Sequence, residues 1–181
     1  MTNRLTYVLS IIYLIALFWI IVFKLSVPLH YAGSMKGFNL VPFSAPLRLN
    51  GKIDYGEMIL NIFVFVPLGI YVGILFRRWI VGKKIFLFFL ISLLCEALQF
   101  IYGIGAFDIT DIINNTLGGI IGLMIYKTIE KIFRNNVKAQ QFINIMATIG
   151  TVLVVSLLLF LRMHNLWIFR MNTIHRTIAS N

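Results

Sequence analysis

Five stretches of this chain are each apolar over about 20 residues, the length that a helix needs to cross a hydrocarbon core about 30 Å thick. They fall at residues 5–23, 57–76, 85–104, 107–126 and 143–161. The chain has 181 residues, of which 60% are hydrophobic and 12% charged, and a soluble domain of this length cannot bury so much apolar surface. Because a helix satisfies its own backbone hydrogen bonds in lipid, we predict an all-α membrane bundle of about five transmembrane helices.

The net charge of +10 is unevenly distributed along the chain. One basic group lies at residues 77–84, a second lies at 127–138, and the intervening segment 103–107 has no Lys or Arg. Cytoplasmic loops carry an excess of basic residues, so we expect these two groups in the cytoplasm, the N-terminus inside and the C-terminus outside. This pattern argues against a nucleic-acid partner. It indicates a plasma-membrane protein with several spans. Its first stretch is expected to be an anchor, because that stretch is longer than the core of a signal peptide.

Polar residues interrupt three of the apolar stretches. Glu96 and Gln99 share one helical face by their spacing of three, and Asp108, Asp111 and Asn115 form a stripe at spacings of three and four. A rise of about 1.5 Å per residue places Asn61, Glu96, Gln99, Asp111 and Asn115 roughly 6–12 Å below the outer ends of their helices. A carboxylate at the centre of a membrane helix costs about 2.5–3.5 kcal/mol, so such residues usually serve a site.

Glycines continue the stripe and predict close helix packing beneath the polar residues. In membrane helices, small residues at this spacing let two backbones approach. The spacing is found at Gly118 or Gly119 and Gly122, while Gly69 and Gly73 offer a second close-packing face and Pro67 a kink.

Structural roles compete with a site for several of these residues. Asn61, Gln99 and Asn115 are equally suited to interhelical hydrogen bonds, and Asp108 is suited to cap a helix. Glu96 and Asp111 have no Lys or Arg partner within their own stretches, so for this pair we favour a functional role.

The motifs of known metal and nucleophilic sites do not occur in the sequence. There is no HExxH, no GxSxG and no phosphate-binding glycine loop. The acidic cluster is compatible with Mg²⁺ or Ca²⁺ and equally with a proton carried by Glu96, so we assign no metal site and leave the cofactor open. The single cysteine, Cys95, excludes an intramolecular disulfide and is expected to be a buried apolar residue.

Two segments outside the helices are unusually apolar or basic. The segment 24–56 contains NLVPF at 39–43 and is too apolar for a free aqueous loop, so we expect it on the membrane surface or over the outer mouth of the bundle. The tail after residue 162 mixes Arg, His and aromatic residues, and we expect it at the interface.

The run EALQFIYGIGAFDITDIINNTLGGIIG at 96–122 resembles the hallmark segment of VanZ-like membrane proteins. In that family a Glu-x-x-Gln precedes an Asp-x-x-Asp-x-x-x-Asn-x-x-Gly, and NLVPF (39–43) and NIFVFVPLG (61–69) resemble two further family elements. The resemblance covers residues 1–130, which we take as the VanZ-like membrane domain. Residues 131–181 then supply a basic cytoplasmic loop, an additional transmembrane helix and a tail. Many relatives carry an Arg just before the first aspartate, where this chain has Gly105, Ala106 and Phe107.

The resemblance implies a role in glycopeptide resistance, especially to teicoplanin, in a Gram-positive cell envelope. We expect the chain to bind or shield a lipid-linked wall precursor or a lipid-tailed glycopeptide at an outer-leaflet pocket, with membrane lipids as its other partners. The expected ligand-binding residues are Asn61, Glu96, Gln99, Asp108, Asp111 and Asn115. The alternative is a membrane enzyme that modifies a lipid-linked envelope component, with Glu96 and Asp111 as acid/base residues or metal ligands, and we favour binding over catalysis. The sequence leaves the oligomeric state open.

Overall fold

The structure, a computed structural model, describes residues 2–23, 37–43, 48–49, 52–53, 55–103 and 105–163. Within these ranges the chain forms five helices: α1 (Thr2–Phe23), α2 (Gly56–Leu75), α3 (Val81–Tyr102), α4 (Ile109–Phe133) and α5 (Asn136–Met163). Each is long and apolar enough to cross a membrane, so the prediction of an all-α bundle with about five spans is confirmed. The tail expected at the interface and most of segment 24–56 lie outside the described residues.

Within the described ranges, four two-residue strands accompany the helices. β1 (Phe38–Asn39) pairs in parallel with β4 (Phe107–Asp108), and β2 (Arg48–Leu49) pairs antiparallel with β3 (Lys52–Ile53). The β1–β4 pair attaches the NLVPF segment to the residues directly before α4.

The helices extend further at their basic ends than the hydrophobic pattern predicts. α3 begins at Val81, α4 continues to Phe133, and only Arg134 and Asn135 separate α4 from α5. Arg134 has a φ of 49°, and the Asn135 side chain accepts hydrogen bonds from the backbone N–H groups of Val137 and Lys138 at 2.9 and 3.1 Å. Hydropathy marks where lipid ends, whereas Lys, Glu and Arg are good helix formers that prolong the helix into water.

The glycines of α2 and α4 form one seam between the two helices. A Cβ on Gly118 would meet the Ile62 carbonyl oxygen, one on Gly122 would meet the Val66 carbonyl oxygen, and one on Gly69 would meet the Gly119 carbonyl oxygen. The predicted close packing is therefore confirmed, and the two faces expected separately from the sequence pack against each other. This seam places α2 and α4 side by side and parallel.

Tyr13 of α1 braces α2 next to its internal proline. The Tyr13 hydroxyl donates to the Val64 carbonyl oxygen at 2.6 Å and accepts from the Leu68 backbone N–H at 3.1 Å. These are the two groups that an undisturbed helix would pair with each other, and Pro67 lies directly before Leu68. An inserted side chain at this point is one of the recognised causes of a helix kink.

A cluster of polar side chains joins the start of α1 to the start of α5. The Gln140 side-chain amide donates to Thr6 Oγ1 at 2.7 Å and to Asn3 Oδ1 at 3.1 Å, and Thr6 donates to Asn144 Oδ1 at 3.0 Å. These residues belong to the first of two compact units, Met1–Asn144. The second unit, Ile145–Asn181, contains the rest of α5, where Val152, Leu153 and Val154 are exposed, as expected of a helix that faces lipid.

Candidate functional site

Glu96 lies on α3, six residues before that helix ends, and only 1% of its surface is exposed. Its Oε2 atom accepts a hydrogen bond from the backbone N–H of Asp108 at 3.2 Å. The contact joins α3 to the residue directly before α4. This hydrogen bond holds Glu96 at the interface between α3 and the start of α4.

Both carboxylate oxygens of Asp108 accept hydrogen bonds at this interface. Its Oδ1 accepts from the Thr110 backbone N–H at 2.7 Å, which makes Asp108 the N-cap of α4, as the structural alternative for this residue predicted. Its Oδ2 accepts from the Asn39 side-chain amide at 3.0 Å. The Asp108 carboxylate therefore caps α4 and also holds the NLVPF segment through a hydrogen bond.

Residues 37–43 form a cover over this end of the bundle. The Phe107 backbone N–H donates to the Gly37 carbonyl oxygen at 3.0 Å, and the Phe43 backbone N–H donates to Thr110 Oγ1 at 3.1 Å. The Phe38 ring packs on Phe100 with ring centroids 4.5 Å apart. For these described residues, the expectation that the segment folds over the mouth of the bundle fits the contacts. Phe43 holds a φ of 58°, a conformation that bulky residues rarely adopt.

On the side of α4 that faces α3, residues follow one another at intervals of about one helical turn, starting at the cover. Asp111, half-buried in the first turn of α4, precedes Asn115 and Gly119 at spacings of four. Asn115 is completely buried and donates from Nδ2 to Ser92 Oγ at 2.9 Å. A Cβ on Gly119 would meet the ring of Phe88, itself fully buried. The polar region therefore ends in an aromatic floor one turn below Asn115.

Three consecutive residues of α4 carry buried polar atoms with unused hydrogen-bonding capacity. Among the described residues, Asn114 Nδ2, Asn115 Oδ1 and Thr116 Oγ1 are buried without a hydrogen-bond partner. An amide or hydroxyl left in this condition costs about 1–3 kcal/mol, so bound water or a polar ligand would gain from pairing with it.

Two of the predicted site residues occupy different positions. Gln99, 2% exposed, donates from Nε2 to the Ile21 carbonyl oxygen of α1 at 2.7 Å, which is the interhelical role offered as its alternative. Asn61 is buried on α2, the helix that packs along α4 through the glycine seam. The structure thus joins Glu96 to Asp108, Asn115 to Ser92 of α3, and Gln99 to α1. Asp111 lies one turn before Asn115 on α4.

Ser92, Thr110 and Asn114 were missed by sequence reasoning. Ser92 lies one turn below Glu96, and Asn114 lies beside Asn115, so helical spacing from the two acidic residues would have found both. No spacing in the sequence indicates Thr110, because its hydrogen bond with the Phe43 backbone N–H depends on how the cover folds back.

Carboxylate and amide oxygens lie here near the positive N-terminal end of the α4 dipole. We name this group of residues, Glu96, Asp108, Asp111 and Asn115, the Glu96 pocket. Within the part of the chain that the structure describes, no group of three or more His, Cys, Asp or Glu residues is placed to hold a metal ion. Hydrogen bonding to a polar ligand is the chemistry that these residues share.

Comparison with known proteins places the chain in a sequence family. The VanZ/LLP1 family model matches residues 10–134, a span that contains every residue of the pocket and the cover. The protein named Protein VanZ from Enterococcus faecium is 32% identical over 151 residues, which cover 82% of this chain and 88% of that protein. No solved structure matches the chain significantly.

Proposed function

The chain belongs to the VanZ/LLP1 family of membrane proteins, and from that premise we propose that it binds a lipid-linked or lipid-tailed ligand at the Glu96 pocket and thereby contributes to teicoplanin resistance. The observation that carries this proposal is the burial of Glu96 beneath a cover that Asp108 holds in place. A carboxylate buried within a membrane helix is expensive, and such residues commonly mark a functional site.

We propose that the pocket opens to the outer leaflet. Arg77, Arg78 and Lys83 are exposed at the opposite end of α2 and α3, where positive residues favour the cytoplasm. The segment 103–107 beside the cover has no basic residue. This orientation places the N-terminus in the cytoplasm and the C-terminus outside. It also brings the pocket to the leaflet where lipid-linked wall precursors and lipid-tailed glycopeptides meet.

Phe88 is fully buried and lies against Gly119, one turn below Asn115. A ligand bound above this ring would enter from one leaflet and leave to the same leaflet. Glu96, Asp111 and Asn115 would contact its polar head, Asp108 would hold the cover, and Asn61 and Gln99 would support the pocket wall.

The proposal is tested by expressing the chain in a susceptible Gram-positive host and comparing two drugs. Teicoplanin carries an acyl chain and vancomycin does not, so a pocket that recognises lipid-anchored ligands should raise teicoplanin tolerance more than vancomycin tolerance. The stem-peptide termini and the cellular lipid inventory, measured by mass spectrometry, should stay unchanged. Equal protection against both drugs would contradict selective recognition. A new lipid species that disappears in Glu96→Gln would instead establish the enzyme alternative.

A further inference from the structure

An apolar groove runs along the outside of the bundle between α1 and α3, separate from the Glu96 pocket. It encloses about 540 Å³. Its lining is formed by Ile11, Ile15, Phe18 and Val22 of α1 and by Leu98 and Tyr102 of α3. The α1 residues follow one another at spacings of three and four, so the groove follows the helix axis.

The length of the groove matches one leaflet of a bilayer. From Ile11 to Val22 a helix rises by about 16 Å, and half of a hydrocarbon core is about 15 Å. Val22 and Tyr102 lie at the ends of their helices that also carry the cover, so the groove begins at the membrane surface and ends near the midplane. Trp19 and Tyr102 stand at its surface end, the depth that aromatic side chains prefer in membrane proteins.

We infer that this groove is a binding site for one acyl chain of a phospholipid from the leaflet that holds the Glu96 pocket. Hydrocarbon is the medium around α1 and α3, and the groove offers a chain contacts along one leaflet's depth. Beside the groove, the Gln99 side chain of α3 donates a hydrogen bond to the Ile21 carbonyl oxygen of α1. This bond holds the two walls of the groove together. The site rests on this geometry alone and does not depend on the proposed function of the pocket.

The chain supplies its own fluorescent reporter for this site. Trp19 lies in the groove, and replacing Trp79 and Trp167 by Phe leaves it as the single tryptophan. A matched control replaces all three native tryptophans by Phe and introduces Leu60→Trp. Leu60 lies on α2, four residues from the helix end, and is 43% exposed compared with 42% for Trp19.

The experiment reconstitutes each full-length variant in phosphatidylglycerol vesicles that contain increasing fractions of phosphatidylglycerol brominated in the middle of one acyl chain. Bromine quenches a tryptophan that it contacts. An acyl-chain site predicts saturable quenching of Trp19 whose midpoint lies at a lipid fraction about tenfold below that of the Leu60→Trp control, a preference of about 1.4 kcal/mol. Ile15→Phe, which fills the groove at an exposed position, should abolish this difference.

Identical quenching curves for the two reporters would overturn the inference, because Trp19 would then meet only exchanging bulk lipid. Quenching of Trp19 that is weaker than in the control would also overturn it, since another protein surface would then cover the groove. Glu96→Gln should leave the Trp19 curve unchanged, so a failure of the proposed function at the pocket and a failure of the acyl-chain site give different results.

Discussion

The backbone N–H of Asp108 lies 3.2 Å from Glu96 Oε2, so the residue that caps α4 also holds the buried carboxylate of α3. Because Asp108 in turn accepts from Asn39, the carboxylate, the helix cap and the cover form one hydrogen-bonded unit. A change in any one of the three is expected to reach the other two.

The α2–α4 seam should tolerate no added side chain. Gly122→Ala brings a methyl group against the Val66 carbonyl oxygen, which belongs to the backbone and cannot rotate away. Overpacking of this kind typically costs about 1–3 kcal/mol. We expect a clear fall in the melting temperature of the purified protein in detergent. The matched control is Gly82→Ala, since a Cβ there meets nothing within 4 Å, and an equal fall in both variants would contradict the seam.

The cover should loosen when its side-chain bond to Asp108 is removed. Asn39→Ala deletes the donor to Asp108 Oδ2 but leaves the backbone pairing of β1 with β4 in place. A hydrogen bond to a charged group is worth about 1.5–3 kcal/mol. We expect faster hydrogen–deuterium exchange at residues 37–43 and 107–110 with little change in α5. Unchanged exchange in the cover would show that the strand pair holds it without Asn39.

The orientation of the bundle can be read from cysteine accessibility in intact cells. Cys95 is fully buried, so Ala106→Cys adds one exposed thiol beside the pocket and Gly82→Cys adds one at the basic end of α3. A membrane-impermeant maleimide should label Ala106→Cys directly and Gly82→Cys only after permeabilisation. The reverse pattern would place the pocket in the cytoplasmic leaflet.

The sequence predicts which helical faces of α3 and α4 carry polar residues, since these faces follow from helical spacing, and Glu96 and Asn115 are buried there. It also predicts the glycine packing. It does not show that Gly69 and Gly122 meet each other, because spacing identifies a face but not its partner. The Asp108–Glu96 and Phe43–Thr110 bonds depend on how a loop folds back onto the bundle. The Thr6–Gln140 cluster joins residues 134 positions apart, and nothing local to either residue indicates the pairing.

The proposed function requires that Glu96 and Asp111 serve a ligand rather than the fold. Glu96→Gln and Asp111→Asn keep side-chain size and remove the negative charge. Each variant should be measured for its monodisperse yield in detergent and for the teicoplanin tolerance that it confers on a susceptible host. We expect both variants to stay monodisperse at wild-type yield while the gain in tolerance disappears. Loss of folded protein in both, or full tolerance in either, would contradict a ligand-binding role for these two residues.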